Sequence, residues 1–154
     1  MERILIIGAG NHYRRDDAAG LLVAARLKAR ACDSFEVIEQ SGEGAALMEA
    51  WKQADRAIII DAVCSGGEPG SIYRWDARSD AIPRNYFQRS THAFGIAEAI
   101  EMARALGELP SHLIVYGIEG ETFDIGIGVS PKIEEAAGET LELILREEAV
   151  KRLF

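Results

Sequence analysis

The sequence predicts an α/β fold: a three-layer α/β/α sandwich with a twisted, mostly parallel sheet. Short unbroken apolar runs at residues 4–7, 57–63 and 113–117 have the continuous hydrophobicity of strands buried on both faces. Between them, apolar residues return at helical spacing. Alternation of the two patterns calls for a parallel-rich sheet with right-handed crossovers and helices on both faces. At 154 residues the chain suits one core, so residues 1–154 are read as a single domain.

The elements follow in order. After the first strand comes a loop rich in Gly, Asn and Arg. Ala18, Leu21, Leu22, Ala25 and Ala29 then mark a helix, with Asp16 and Asp17 where an N-cap belongs. Residues 35–38 read as a second strand. Gly42 and Gly44 break the chain, and Leu47, Met48 and Trp51 suggest a short helix. Residues 57–63 form the next buried strand, interrupted by one charge, Asp61. Gly66, Gly67, Pro69 and Gly70 make a turn into an antiparallel edge strand at 71–75. Residues 77–90 look irregular. Ile96, Ala97, Ile100 and Ala103 share one face of a helix from about Phe94 to Leu106. The last helix is the clearest: Ser130 is a good N-cap, Pro131 fits the first helical position, and Ile133, Ala136, Ala137, Leu141 and Ile144 continue the stripe.

Composition narrows the function. Apolar residues are 48 % of the chain and charged residues of mixed sign 27 %, a globular rather than a disordered balance. A formal net charge of −8 without a basic run argues against a nucleic-acid partner. No apolar run approaches a membrane span, and the one at the N-terminus is too short for a signal-peptide core. No membrane association and a cytoplasmic location are therefore expected. The two cysteines, Cys32 and Cys64, form no CxxC pair, which removes zinc-knuckle and thioredoxin-like readings. Both are expected to be reduced thiols, and Cys64 is expected to be buried and inert.

In open α/β sheets, sites form outside the carboxyl ends of the strands. Asp16 and Asp17 follow the first strand, Asp61 closes the third, and His92 precedes a helix. Three distant segments thus bring carboxylate, carboxylate and imidazole to one edge. Such a set suits a divalent transition metal such as nickel or zinc, and equally suits general acid–base work with no metal. Alone, each residue has an ordinary explanation: a helix cap, a turn cap, a solvated histidine. Asp61 stands out because a carboxylate ending a buried strand is costly without a partner. His12 and His112 are assigned to surface or strand-edge positions. Gly8 and Gly10 open a dinucleotide-type turn, but Tyr13 stands at the third glycine position, and Asp16 and Asp17 would repel a pyrophosphate.

The segment ILIIGAGNHYRRDDAAG resembles the N-terminal signature of hydrogenase maturation proteases, a strand followed by G-x-G-N and an acidic pair before a helix. The resemblance continues through IIIDAVCSGGEPGSI, STHAFGIAEAIEMARAL and VYGIEGETFDIGIGVSPKIEEAA, in the family's order and over nearly the whole chain. It implies a phosphorylase/hydrolase-like sandwich in which Asp17, Asp61 and His92 correspond to the nickel-contacting residues. The nickel belongs to the substrate, a hydrogenase large-subunit precursor whose C-terminal extension is cut. No organic cofactor is implied, and a monomer is the expected state. No HExxH zinc-protease motif occurs. Two departures stand out. His12 replaces the more usual apolar residue or Pro, and residues 39–44 differ from the Asp-Gly-Gly-Thr type in a region tied to client choice. The alternatives are a non-cutting module that recognises a metal-loaded client, and a nucleotide- or nucleoside-handling enzyme on a similar scaffold.

Overall fold

The computed structural model describes residues 2–30, 34–87 and 92–152. Cys32, Ser90 and Thr91 lie outside the described residues. Strands β1 (Ile4–Ala9), β2 (Glu36–Gln40), β3 (Arg56–Val63), β4 (Ile72–Asp76) and β5 (His112–Glu119) form one sheet in the order β2-β1-β3-β5-β4. All neighbours are parallel except β4, which pairs antiparallel with β5 at the edge. The predicted class and the antiparallel edge strand are both present.

Strand alternation sorts the core into two layers. Leu5, Ile7, Ile59 and Val115 pack with Leu47 and Trp51 of α2 (Gly44–Trp51) and with Ile96 and Ile100 of α3 (Ile96–Leu106). Ile6, Ile58, Ile60 and Ile118 pack on the opposite face with Val23 and Leu27 of α1 (Ala19–Ala29) and Ile133 and Ile144 of α4 (Pro131–Arg152). Neither side of the inner strands meets solvent, which is why they read as unbroken apolar runs rather than as alternating ones.

The chain leaves β1 toward β2 and then returns across it to β3, so the order reverses between β1 and β3. A crevice outside their carboxyl ends is the expected ligand position. Helix α1 sits very low over this point. A Cβ at Gly20 would lie 2.1 Å from the Ile60 carbonyl oxygen and 2.6 Å from that of Ala9. Only glycine permits this approach, and it sets the preceding turn directly above the strand ends.

Three local expectations need correction. Neither Asp16 nor Asp17 caps α1: both lie in a 3₁₀ turn, Arg15–Ala18, and the residue at the cap is Ala18. The turn begins with Arg15 at φ 47°, a left-handed conformation that rotates the acidic pair out of cap position. Helix α3 begins at Ile96 rather than at residue 94. The Phe94 ring instead covers Gly44, and its carbonyl accepts the Gly44 N–H at 2.8 Å. Residues 77–90 are not wholly irregular, because Arg84–Phe87 form a 3₁₀ helix. Tyr86 and Phe87 from it meet Trp75 of β4 edge-on, with ring centroids 5.6 and 6.0 Å apart. This aromatic cluster anchors the segment against the sheet.

Candidate active site

Asp61 is the sixth residue of β3, on the same face as Ala57, Ile59 and Val63. The register between β1 and β3 ends at Gly8 and Ile60, so the β1 side opens at Asp61. Its carboxylate is buried, and Oδ1 accepts the Ala62 N–H at 2.8 Å. Burial holds its pKa well above the usual aspartate range, and the nearby Asp17 charge pushes it further up.

Asp17 comes from the 3₁₀ turn after β1 and is partly exposed. Burial also raises its pKa. The Arg14 charge, the Asn11 backbone N–H and His92 pull the other way. His92 arrives from the opposite layer, three residues before the Gly95 cap of α3. The start of α3 is firm: Glu98 reaches back to accept the Gly95 N–H at 3.0 Å while its second oxygen takes Arg84 Nε at 2.7 Å.

Asp17, Asp61 and His92 line one cleft of about 360 Å³, with Tyr13, Ser41 and Phe87 also on its walls. A second hollow of about 410 Å³ shares Asp61, Phe87 and His92 and continues past Gly42, Arg84 and Asn85. The two form a groove whose midpoint is the Asp61–His92 pair. Among the described residues, no three His, Cys, Asp or Glu side chains are gathered closely enough to cage an ion by themselves.

The acidic pair divides its work. Asp17 faces the cleft. Asp16 is fully buried and turned away, accepting the N–H groups of Glu121 (2.8 Å), Thr122 (3.0 Å) and Ser130 (2.7 Å) and the Ser130 hydroxyl (2.8 Å). Nothing in the local pattern separates these neighbours, because the donors to Asp16 come from more than a hundred residues away. His112 sits exposed at the start of β5, as expected. His12 is exposed too, but at the mouth of the cleft, with Nε2 3.7 Å from Glu39 Oε1. Cys64 is a free thiol but half-buried rather than buried. It lines a further groove with Arg14 and Phe123, and its backbone N–H donates to the Tyr86 carbonyl at 2.8 Å.

Residues 39–44 split similarly. Ser41 and Gly42 line the groove. Glu43 caps α2, its carboxylate accepting the Ala45 and Ala46 N–H groups at 2.9 and 2.8 Å, and these bonds lower its pKa. Gly44 has no room for a side chain under the Phe94 ring.

Fold and cleft define an α/β protein of enzymatic layout, with two carboxylates and an imidazole at the switch point of its sheet. The chain belongs to the HycI family of hydrogenase maturation proteases, whose model matches residues 21–147, and it is a peptidase. Asp61 and His92 fall inside the matched span, and Asp17 lies four residues ahead of it. The hydrogenase 2 maturation protease of Escherichia coli (strain K12) is 29 % identical over 158 residues, covering 98 % of this chain and 95 % of that protein. Among solved structures, the E. coli hydrogenase maturating endopeptidase HybD matches with a TM-score of 0.74 at 25 % identity, over 95 % of this chain and 93 % of HybD. An Escherichia coli endopeptidase solved in solution matches with a TM-score of 0.79 at 27 % identity, over 94 % and 90 %. Among the described residues, no helix is long and apolar enough to cross a membrane.

Proposed function

We propose that the chain is the endopeptidase that removes the C-terminal extension of a nickel-loaded hydrogenase large-subunit precursor, and that Asp17, Asp61 and His92 engage the nickel of that substrate. The observation that carries this reading is the convergence of the three side chains from three elements on one cleft. Two carboxylates and an imidazole match the donors such an ion accepts. Nickel enters with the precursor, and no organic cofactor takes part.

The electrostatics fit an ion that comes and goes. With the cleft free of a cation, burial first and the Asp17 charge second favour the protonated form of Asp61. A cation delivered beside it favours the carboxylate, so docking of the nickel site releases a proton and completes the charge balance. The groove on either side of Asp61 and His92 has room for chain entering and leaving the cutting point. A water then attacks the peptide carbonyl, helped by polarisation of that carbonyl by the metal or by activation of the water by the metal or a carboxylate. Its oxygen joins the new C-terminal carboxylate as the C–N bond breaks, and a proton passes to the leaving amine.

The test is incubation with nickel-loaded and nickel-free precursor, followed by intact mass. Loss of the extension only from the nickel-loaded form is expected. Equal cutting of both forms would overturn recognition through the metal.

A further inference from the structure

Three exposed apolar side chains form a ridge that starts at the cleft with Tyr13 and reaches the neighbouring groove at Ile125. Tyr13 is 68 % exposed, Ile125 89 % and Ile127 75 %. Isolated surface apolar residues are ordinary, but the two segments that carry these three are hydrogen-bonded to each other. The Gly126 N–H donates to the Tyr13 carbonyl at 2.9 Å, and the Arg15 N–H donates to the Gly126 carbonyl at 3.1 Å. The two isoleucines therefore flank the residue that is bonded to Tyr13.

The ridge is built to hold its shape. The Arg15 guanidinium donates to the Ile127 carbonyl at 3.4 Å and lies where a Cβ on Gly126 would fall. Asp16 ties both ends of the loop, at Glu121 and Thr122 and again at Ser130. An apolar loop held this firmly loses little conformational entropy when it is covered, which favours a docking role. A loop without one would gain nothing from showing two isoleucines to water.

We infer that Tyr13, Ile125 and Ile127 form a docking edge for an apolar patch on the folded body of the precursor. This rests on the proposed processing function. The ridge is continuous with the cleft, because Tyr13 belongs to both. A protein that presents a chain end to Asp61 and His92 passes Tyr13, and the isoleucines on the segment bonded to Tyr13 lie next to its path. A second copy of this chain is a poorer occupant. Seated on the ridge it would close the cleft, and two chains of net charge −8 repel.

The experiment compares the wild type with an Ile125→Asp/Ile127→Asp double variant and an Ile125→Leu/Ile127→Leu control, using nickel-loaded precursor. Thermal unfolding accompanies the kinetics. The aspartate pair should raise KM for the precursor about tenfold or more with kcat at saturation little changed, and the leucine pair should behave as wild type. An unchanged KM in the aspartate variant, beside an active wild type, would overturn the docking edge and leave the processing function standing. A wild type that neither binds nor cuts the precursor would remove both. A wild-type dimer at micromolar concentration that the aspartate pair dissolves would assign the ridge to a second copy instead.

Discussion

The Asp16 carboxylate accepts two hydrogen bonds from Ser130, one from its backbone N–H at 2.7 Å and one from its hydroxyl at 2.8 Å. Ser130 directly precedes α4, so this pair fastens the turn after β1 to the start of the last helix. Replacing Asp16 with Ala removes the shared acceptor of four part-buried hydrogen bonds from the opposite segment. A loss of about 3 kcal/mol is expected, measured by urea unfolding. Asp16→Asn keeps one good acceptor and should cost less. An Asp16→Ala protein as stable as wild type would show that the clamp contributes nothing.

Asp61 predicts a pH dependence of opposite sign to that of a salt-bridged carboxylate. Its folded pKa is raised, by burial first and by Asp17 second. Between the ordinary aspartate range and that higher value, the folded protein holds a proton that the unfolded chain has released. Stability therefore falls as pH rises through this window. Asp61→Asn removes the effect. Its melting temperature should equal or exceed that of wild type at about pH 8, with the advantage gone at about pH 4. A wild-type advantage that grows toward high pH would contradict the assignment.

Asp17→Asn and His92→Ala should separate site from scaffold. Asp17 is partly exposed at the cleft, and His92 lies ahead of a helix whose start is secured by Gly95, Glu98 and Arg84. Each variant should unfold within about 1 kcal/mol of wild type while precursor processing drops to near background. Full activity in both would remove these residues from the site.

The Ser41–Glu43 segment should show two separable effects. Glu43→Ala removes the cap of α2, lowering the melting temperature without altering which precursor is cut. Ser41→Trp places bulk in the cleft and should change relative rates on different precursors at constant stability. Reversed effects would mean that Ser41 is structural and that Glu43 selects the client.

Much of this protein is legible in its residues alone. The layering follows from alternating strand-like and helix-like periods, because both are local properties of the backbone. Ser130 and Pro131 announce α4, and the structure begins it at Pro131. Asp61 is conspicuous because a carboxylate inside an apolar strand is costly without a partner. What local pattern does not contain is the direction in which a side chain faces. Asp16 and Asp17 are adjacent and identical, yet one clamps a loop and the other lines the cleft. The left-handed Arg15 and donors near residues 121–130 decide between them. The wall formed by Tyr86 and Phe87 has the same origin, since the edge-on ring contacts that order it come from Trp75 of β4. Sequence periodicity assigns each residue to an element and a face, whereas the meeting of Asp17, Asp61 and His92 depends on chain closure over long separations. That closure is set here by Gly20 lying against the carbonyls of Ile60 and Ala9.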